Sequence, residues 1–219
     1  MEDKSNMRKV LDSNWQEILQ QVESLHSTYV SAQGANIALF GAGAAGQEAL
    51  QYFQNKGIPI QCFIDNDPQK QGMEVGDIPV VSVKHPLVTS STFVLITTKT
   101  AVNVIRKQLQ DLHFRCIPFD AYYVIDNIAR YTWVRNEALA DDHSRLSLDG
   151  ILMSMLTGSL KYCTAIMDSN QYFCLPYFQD IGEEYFVDAL EVVSFGQATF
   201  FARQKDLKLS LSPSLIMKS

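Results

Sequence analysis

Three glycines and one aspartate form the pattern in this chain that most clearly suggests chemistry. Gly41, Gly43 and Gly46 are spaced as G-x-G-x-x-G. The first allows a tight turn, the second leaves backbone N–H groups bare for a pyrophosphate, and the third lets a helix pack closely on a strand. Asp65 follows about 20 residues later, the distance expected of a carboxylate that accepts a ribose hydroxyl. The pattern therefore predicts a nucleotide site.

The segments around these glycines fit that interpretation. The apolar run Ile37–Phe40 predicts a buried strand, residues 47–55 predict a helix, and Ile60–Ile64 predicts a second strand. A dinucleotide-binding unit has the same order of elements: a strand, a glycine loop, a helix, a second strand and an acidic residue. In such a unit the helix N-terminus faces the phosphate. The alternative is a unit of the same shape whose glycines serve only packing and whose crevice is empty.

Strands and helices continue to alternate further along the chain. Ile78–Val81, 92–97 and Arg115–Pro118 predict strands, and 101–112 predicts a helix. Such alternation implies right-handed βαβ units around a parallel sheet. The predicted fold class is therefore α/β: a Rossmann-like parallel sheet with an N-terminal helix, followed by a mostly helical linker region and a short remnant of a second α/β domain.

The changes of pattern along the chain also predict four parts. An amphipathic helix over 7–30 comes first, and many aromatic residues in a mostly helical stretch follow the sheet. The predicted parts are the N-terminal helix (1–35), the nucleotide-binding domain (36–120), the helical linker region (121–182) and the remnant of a second domain (183–219). In the linker, Asp141 and Asp142 are interpreted as helix-capping residues rather than catalytic ones.

Ligands of parallel sheets bind beyond the carboxyl ends of the strands, where the strand order reverses. Three segments are expected to meet there, and they supply the candidate binding residues Gly41, Ala42, Gly43, Ala44, Ala45, Gly46, Asp65, Asn66, Asp67, Thr97, Thr98 and Lys99. Lys99 is a candidate for a second phosphate or a sugar carboxylate, the alternative being a solvated lysine. No residue is placed as an obvious acid or base, so the catalytic residues stay unknown.

Composition limits the classes of partner. The 219 residues carry a net charge of −6, and lysines and arginines are scattered, which argues against nucleic acid. The first residues do not resemble a signal peptide, and no run approaches about 18 apolar residues, so we expect a cytoplasmic protein without a membrane partner. The histidines are isolated, so no metal site is expected. The expected partner is a small nucleotide ligand.

Two groups of sequence runs resemble known families. CFIDNDPQKQG and GDIPVVSV resemble the Rossmann-like domain at the front of sugar-nucleotide acyltransferases and polysaccharide-biosynthesis proteins. DDHSRLSLDGILMSMLTGSLKY and QYFCLPYFQDIGEEYFVDA resemble the linker and first strand of FkbM-type methyltransferases that carry such a domain upstream. The resemblance covers about 36–189. It implies S-adenosylmethionine as the cofactor of the parent family.

The resemblance breaks after Ala189. Asp188 and Ala189 match the strand that opens the methyltransferase cofactor site, but Leu190 stands where that family has a glycine. A leucine side chain would obstruct the close approach of the cofactor. We therefore expect a truncation or a shifted reading frame after Ala189, an incomplete S-adenosylmethionine site and no methyl transfer by this chain.

Three functions remain open from the sequence. The first is a domain that binds a nucleotide or nucleotide-sugar within an FkbM-like methyltransferase of glycan or secondary-metabolite biosynthesis. The second is an NAD-dependent oxidoreductase, since Asp65 would repel the 2′-phosphate of NADP. A recognisable catalytic group for this function is missing, and the spacing of Tyr131, Arg135 and His143 does not compel an active site. The third is a ligand-sensing interaction module that forms a homodimer.

Overall fold

The computed structural model describes residues 2–99, 101–164, 166, 188–190 and 199–201. The chain divides into two compact units, Met1–Met167 and Asp168–Ser219. In the second unit the described backbone forms two strands, Asp188–Leu190 and Thr199–Phe201, which pair antiparallel. Most of the predicted remnant at 183–219, including the rest of the strand expected at 185–188, lies outside the described residues.

The first unit is built on a six-stranded sheet. Its strands are β1 (Ile37–Phe40), β2 (Ile60–Ile64), β3 (Glu74–Val75), β4 (Ile78–Val81), β5 (Phe93–Ile96) and β6 (Arg115–Pro118). The order across the sheet is β3-β4-β2-β1-β5-β6, and all neighbours are parallel except β3 and β4. The strand order reverses at β1, which lies between β2 and β5. The predicted α/β, Rossmann-like class is confirmed.

Helices cover both faces of this sheet because its central strands are apolar on both sides. Helix α1 spans Glu2–Ala32, α2 spans Ala44–Asn55 and α3 spans Val102–Asp111. Alternate side chains of β1 enter opposite layers: Leu39 packs in the layer that contains Phe53 of α2, and Phe40 packs in the layer that contains Leu109 of α3. The sheet and its two crossover helices are thus held by two apolar layers.

A helical layer follows β6. It contains α4 (Phe119–Asp126), α5 (Ile128–Trp133), a π-helical turn (Val134–Ala138), α6 (Asp142–Thr157) and α7 (Lys161–Thr164). Trp15 and Ile18 of α1 pack with Leu152 of α6 in a third apolar cluster. The Asp141 carboxylate accepts a hydrogen bond from the Ser144 N–H at 2.8 Å, so the predicted helix start with its aspartate cap is confirmed.

Two elements differ from the sequence prediction. Helix α2 begins at Ala44 rather than at residue 47, because the last glycine of the loop lies inside its first turn. The stretch before β4, where Gly72 and Gly76 predict a loop, forms the short strand β3, and Gly76 and Asp77 turn the chain back with φ of 57° and 63°. Within the described part of the chain, no helix is long and apolar enough to cross a bilayer.

Candidate functional site

A cleft of about 310 Å³ lies at the carboxyl ends of β1, β2 and β5. Its walls are formed by Phe40, Gly41, Gly43, Ala44, Ala45, Gly46, Asp65, Asn66, Lys70, Thr97, Thr98 and Ile105. All three segments expected from the sequence contribute to it. Of the candidate residues, Ala42, Asp67 and Lys99 do not line the cleft.

The glycine loop is shaped by contacts with the neighbouring strands. Gly41 has a φ of 115°, a conformation that favours glycine, and its N–H donates to the Ile64 carbonyl at 2.7 Å. A Cβ at Gly46 would lie 2.0 Å from the Gly41 carbonyl oxygen, which no real side chain tolerates. These two glycines are therefore required by the turn and by the close packing of α2 on β1.

Gly43 is different, because neither packing nor backbone conformation requires a glycine there. Its φ is −104°, and a Cβ built on it would meet no protein atom within 4 Å. Gly43 is the N-cap of α2 and lines the cleft, and the first turn of the helix carries no acidic residue. The unpaired N–H groups and the positive end of the helix dipole of α2 therefore lie at the cleft, and no side chain at position 43 covers them.

The Asp65 carboxylate lies at the end of β2 and holds three donors. It accepts from the Ala42 N–H at 2.9 Å, from the Asp67 N–H at 3.0 Å and from Lys70 Nζ at 3.1 Å. Burial would raise the pKa of Asp65, but the hydrogen bonds from Asp67, Ala42 and Lys70 outweigh it and leave the pKa below its ordinary value. Asp65 is therefore an anion that ties the glycine loop to the next strand.

The residues around Asp65 take different roles. Lys70 brings a half-exposed ammonium group into the wall of the cleft. The side-chain amide of Asn66 exchanges hydrogen bonds with that of Gln108 at 3.0 and 3.2 Å, and the Asp67 carboxylate accepts from the Gln69 N–H at 2.9 Å. Sequence reasoning missed Lys70, although its position five residues after Asp65 in a turn was a usable signal.

The segment after β5 supplies hydroxyl groups. Thr97 is buried, and its Oγ1 lies 2.8 Å from the Phe40 carbonyl oxygen and 3.0 Å from that of Gly41. Thr98 Oγ1 is enclosed and has no hydrogen-bond partner among the described residues. Lys99 Nζ contacts both carboxylate oxygens of Asp120, at 2.7 and 2.9 Å. The charge of Lys99 is thus already matched by an ion pair.

The three residues considered for an oxidoreductase lie in the helical layer. Arg135 is 6% exposed and forms two hydrogen bonds of 2.7 and 2.9 Å with Asp149, which is 1% exposed. His143 is exposed in the first turn of α6, whereas Tyr131 is half-buried, and burial raises its pKa. Asp149 was missed, although an acid inside the apolar run of α6 was a signal for a buried partner.

The chain is similar to known proteins over parts of its length. Residues 33–115, less than half of the chain, match the model of a family described as C2185-like, N-terminal. No curated protein matches the chain. Among solved structures, the chain is similar to UDP-D-quinovosamine 4-dehydrogenase from Vibrio fischeri, with 21% identity and a TM-score of 0.31 over 45% of this chain and 85% of that one. It is also similar to the methyltransferase FkbM from Methylobacillus flagellatus KT, with 13% identity and a TM-score of 0.42 over 80% of this chain and 56% of that one.

Proposed function

We propose that the first unit of this chain binds a nucleotide or nucleotide-sugar in the cleft beyond β1, β2 and β5. The observation that supports it is the combination at Gly43. A helix N-terminus opens into a cleft at the reversal of strand order, and the residue that caps it lacks a side chain without any packing reason to lack one. A phosphate in that position would replace the missing side chain.

The other walls of the cleft suit the remaining parts of such a ligand. The phosphate would accept from the N–H groups at the start of α2, with the Lys70 ammonium nearby as a counter-charge. The Asp65 carboxylate retains unfilled acceptor positions for a ribose hydroxyl, since a carboxylate has about four lone-pair sites and three are used. Ile105 gives the cleft an apolar patch for a base.

The wider context that we propose is an FkbM-like methyltransferase of glycan or secondary-metabolite biosynthesis. The support for this part is the resemblance of the sequence runs between residues 36 and 189 described above. In that setting the described unit binds its ligand and leaves the chemistry to another part of the enzyme. The purified chain is then expected to transfer no methyl group from S-adenosylmethionine.

NAD is the second candidate ligand, because an acid after β2 is the position that favours a free 2′-hydroxyl over a 2′-phosphate. A hydride-transfer assay with NAD and small alcohol or sugar-nucleotide substrates tests this alternative. Reduction of NAD above the rate without protein would favour the oxidoreductase function over a binding domain.

Calorimetry tests the proposed function directly. The chain is titrated with UDP-glucose, GDP-mannose, ADP and NAD, and we expect at least one of them to bind. Gly43→Val should weaken that binding by about 1–2 kcal/mol, because the branched side chain would occupy the phosphate position. Ala129→Val introduces the same valine side chain on an exposed face of α5 and should change nothing. No heat with any ligand at millimolar concentration would refute the proposal.

A further inference from the structure

We infer that the cleft holds a single nucleotide unit, as a nucleoside diphosphate or its sugar ester, and has no place for the second nucleoside of a dinucleotide. This inference rests on the proposed function and names its ligand class. It comes from the half of the sheet that lies beyond β5, where a dinucleotide would place its second nucleoside.

The strand order shows that the two sides of the sheet differ in their number of parallel strands. A dinucleotide-binding sheet has two mononucleotide-binding halves, and its ligand crosses from one to the other at the reversal of strand order. In this chain the first half has three parallel strands, β1, β2 and β4. The second half contains only β5 and β6 among the described strands of the sheet. The residues that the structure describes therefore supply two parallel strands to this half, against three in the first.

The end of β6 also lacks the loop that a second nucleoside would need. β6 ends at Pro118 and α4 begins at Phe119, so the chain passes from strand to helix without a connection. Phe119 itself is buried in the apolar layer below. Ligands of such sheets bind among the loops that follow the strands, so this end offers little backbone to hold one.

An ion pair occupies the space between the ends of β5 and β6. Lys99 follows β5, Asp120 follows β6, and the ammonium contacts both carboxylate oxygens. An exposed pair contributes at most about 1 kcal/mol, so it hinders a ligand only modestly. Its main effect is to neutralise Lys99, a cation that could otherwise have bound a second phosphate there. The closure therefore comes chiefly from the direct passage of β6 into α4 and from the lack of a third parallel strand among the described residues of this half.

The residues that form the walls of the cleft also support a site for a single nucleotide. They come from the glycine loop, the end of β2, Lys70 and the end of β5, with Ile105 of α3, and no residue of β6 or α4 takes part. The volume of about 310 Å³ lies at the lower end of the range of about 300–1,000 Å³ found for small-molecule sites. The charged side chains in these walls are Lys70 and Asp65, beside the N-terminus of α2, and these groups suit one nucleotide.

The first experiment compares ligands on the intact chain by calorimetry. ADP, UDP, GDP and CDP are titrated beside NAD, and the tightest diphosphate is the reference. We expect NAD to bind no tighter than that reference. An affinity for NAD more than about tenfold above it would overturn the inference and leave the proposed nucleotide site standing. Binding of none of the five would instead refute the proposed function, and the inference with it.

Amide hydrogen exchange locates the ligand independently of affinity. With the tightest diphosphate at saturation, exchange should slow at Ala44, Ala45 and Gly46 and stay unchanged at Asp120 and Ala121. The same pattern is expected with NAD if NAD binds at all. Slowed exchange at Asp120 and Ala121 in the NAD complex would show that the second nucleoside uses the far half of the sheet, which would overturn the inference.

Discussion

The N–H of Ala42 donates a hydrogen bond of 2.9 Å to the carboxylate of Asp65. This bond connects the turn after β1 to the end of β2, two strands that are neighbours in the sheet. It gives the aspartate a structural task in addition to the ribose contact expected from the sequence. The shape of the glycine loop and the charge that faces the cleft thus depend on one side chain.

Asp65→Asn is expected to affect both tasks. The amide group keeps the size of the carboxylate but loses its charge and replaces one acceptor by a donor. Because Ala42 and Lys70 donate to one carboxylate oxygen and Asp67 donates to the other, the three bonds cannot all persist. We expect the free energy of unfolding to fall by about 1–3 kcal/mol, and a nucleotide with a 2′-phosphate to be excluded less strongly relative to one with a free 2′-hydroxyl. Urea denaturation and calorimetry measure the two effects. Asp67→Asn is the control, because that exposed carboxylate accepts only within its own turn; equal effects of both variants would contradict the prediction.

The two last glycines of the loop should respond differently to alanine. Gly46→Ala places a Cβ at 2.0 Å from the Gly41 carbonyl oxygen, so α2 must shift away from β1, and we expect a loss of about 1–3 kcal/mol or more in stability. Gly43→Ala meets open space and should lose less than about 1 kcal/mol. Thermal and urea unfolding of both variants measure these losses in the free energy of unfolding. Similar losses would mean that α2 packs less closely than described.

Asp126 should make stability depend on pH in the acid range. Its carboxylate accepts from the Tyr29 hydroxyl at 2.7 Å and also from Tyr52 and Lys56, so it joins α1, α2 and α4. Burial would raise the pKa of Asp126, but these bonds outweigh it and hold the pKa below its ordinary value. A lowered folded-state pKa stabilises the protein above the unfolded-state pKa of about 3.9, and the gain disappears as pH falls through the folded-state pKa.

The measurement for Asp126 is a series of urea titrations between about pH 7 and pH 3. The native chain should be more stable than Asp126→Asn at neutral pH, by about 1–2 kcal/mol, and the difference should shrink as the pH is lowered. Asp12→Asn changes an exposed aspartate of α1 and serves as the control. A difference that grows toward acid pH would contradict the assigned role.

Arg135 and Asp149 should behave as a buried structural pair. Arg135 also donates to the Leu11 carbonyl at 2.8 Å and stacks over Trp15, so it fastens α1 to α6. Asp149→Ala would leave the guanidinium buried without its counter-charge, and we expect a loss of about 3–5 kcal/mol. The double variant Arg135→Met with Asp149→Leu should recover much of that loss, which double-mutant analysis of unfolding would show.

The control for this buried pair is Asp142→Ala, which breaks the exposed pair with Arg145. It should lower the free energy of unfolding by at most about 1 kcal/mol.

The local pattern was sufficient to predict the sheet. The apolar runs at Ile37–Phe40 and Ile60–Ile64 form strands with these bounds, because a parallel strand buried on both faces needs a continuous apolar stretch. The helix cap at Asp141 was also predictable, since capping depends on a side chain and a backbone group three residues apart. The convergence of the three loop segments followed from the rule that parallel strands end at a common edge.

The partners of the charged groups were decided by the tertiary structure. Asp65 and Lys99 are separated along the chain from Ala42 and Asp120, and nothing in the local sequence shows that these groups come within hydrogen-bond distance. The pairing of Arg135 with Asp149 likewise depends on how the π-helical turn lies against α6. The spacing of apolar residues predicts which individual residues are buried. A hydrogen bond or an ion pair, by contrast, requires that two groups far apart in the sequence come within bonding distance in space. The sequence by itself therefore determined the strands, the glycine loop and the edge of the sheet where a ligand would bind, and packing alone decided which charges remain available to it.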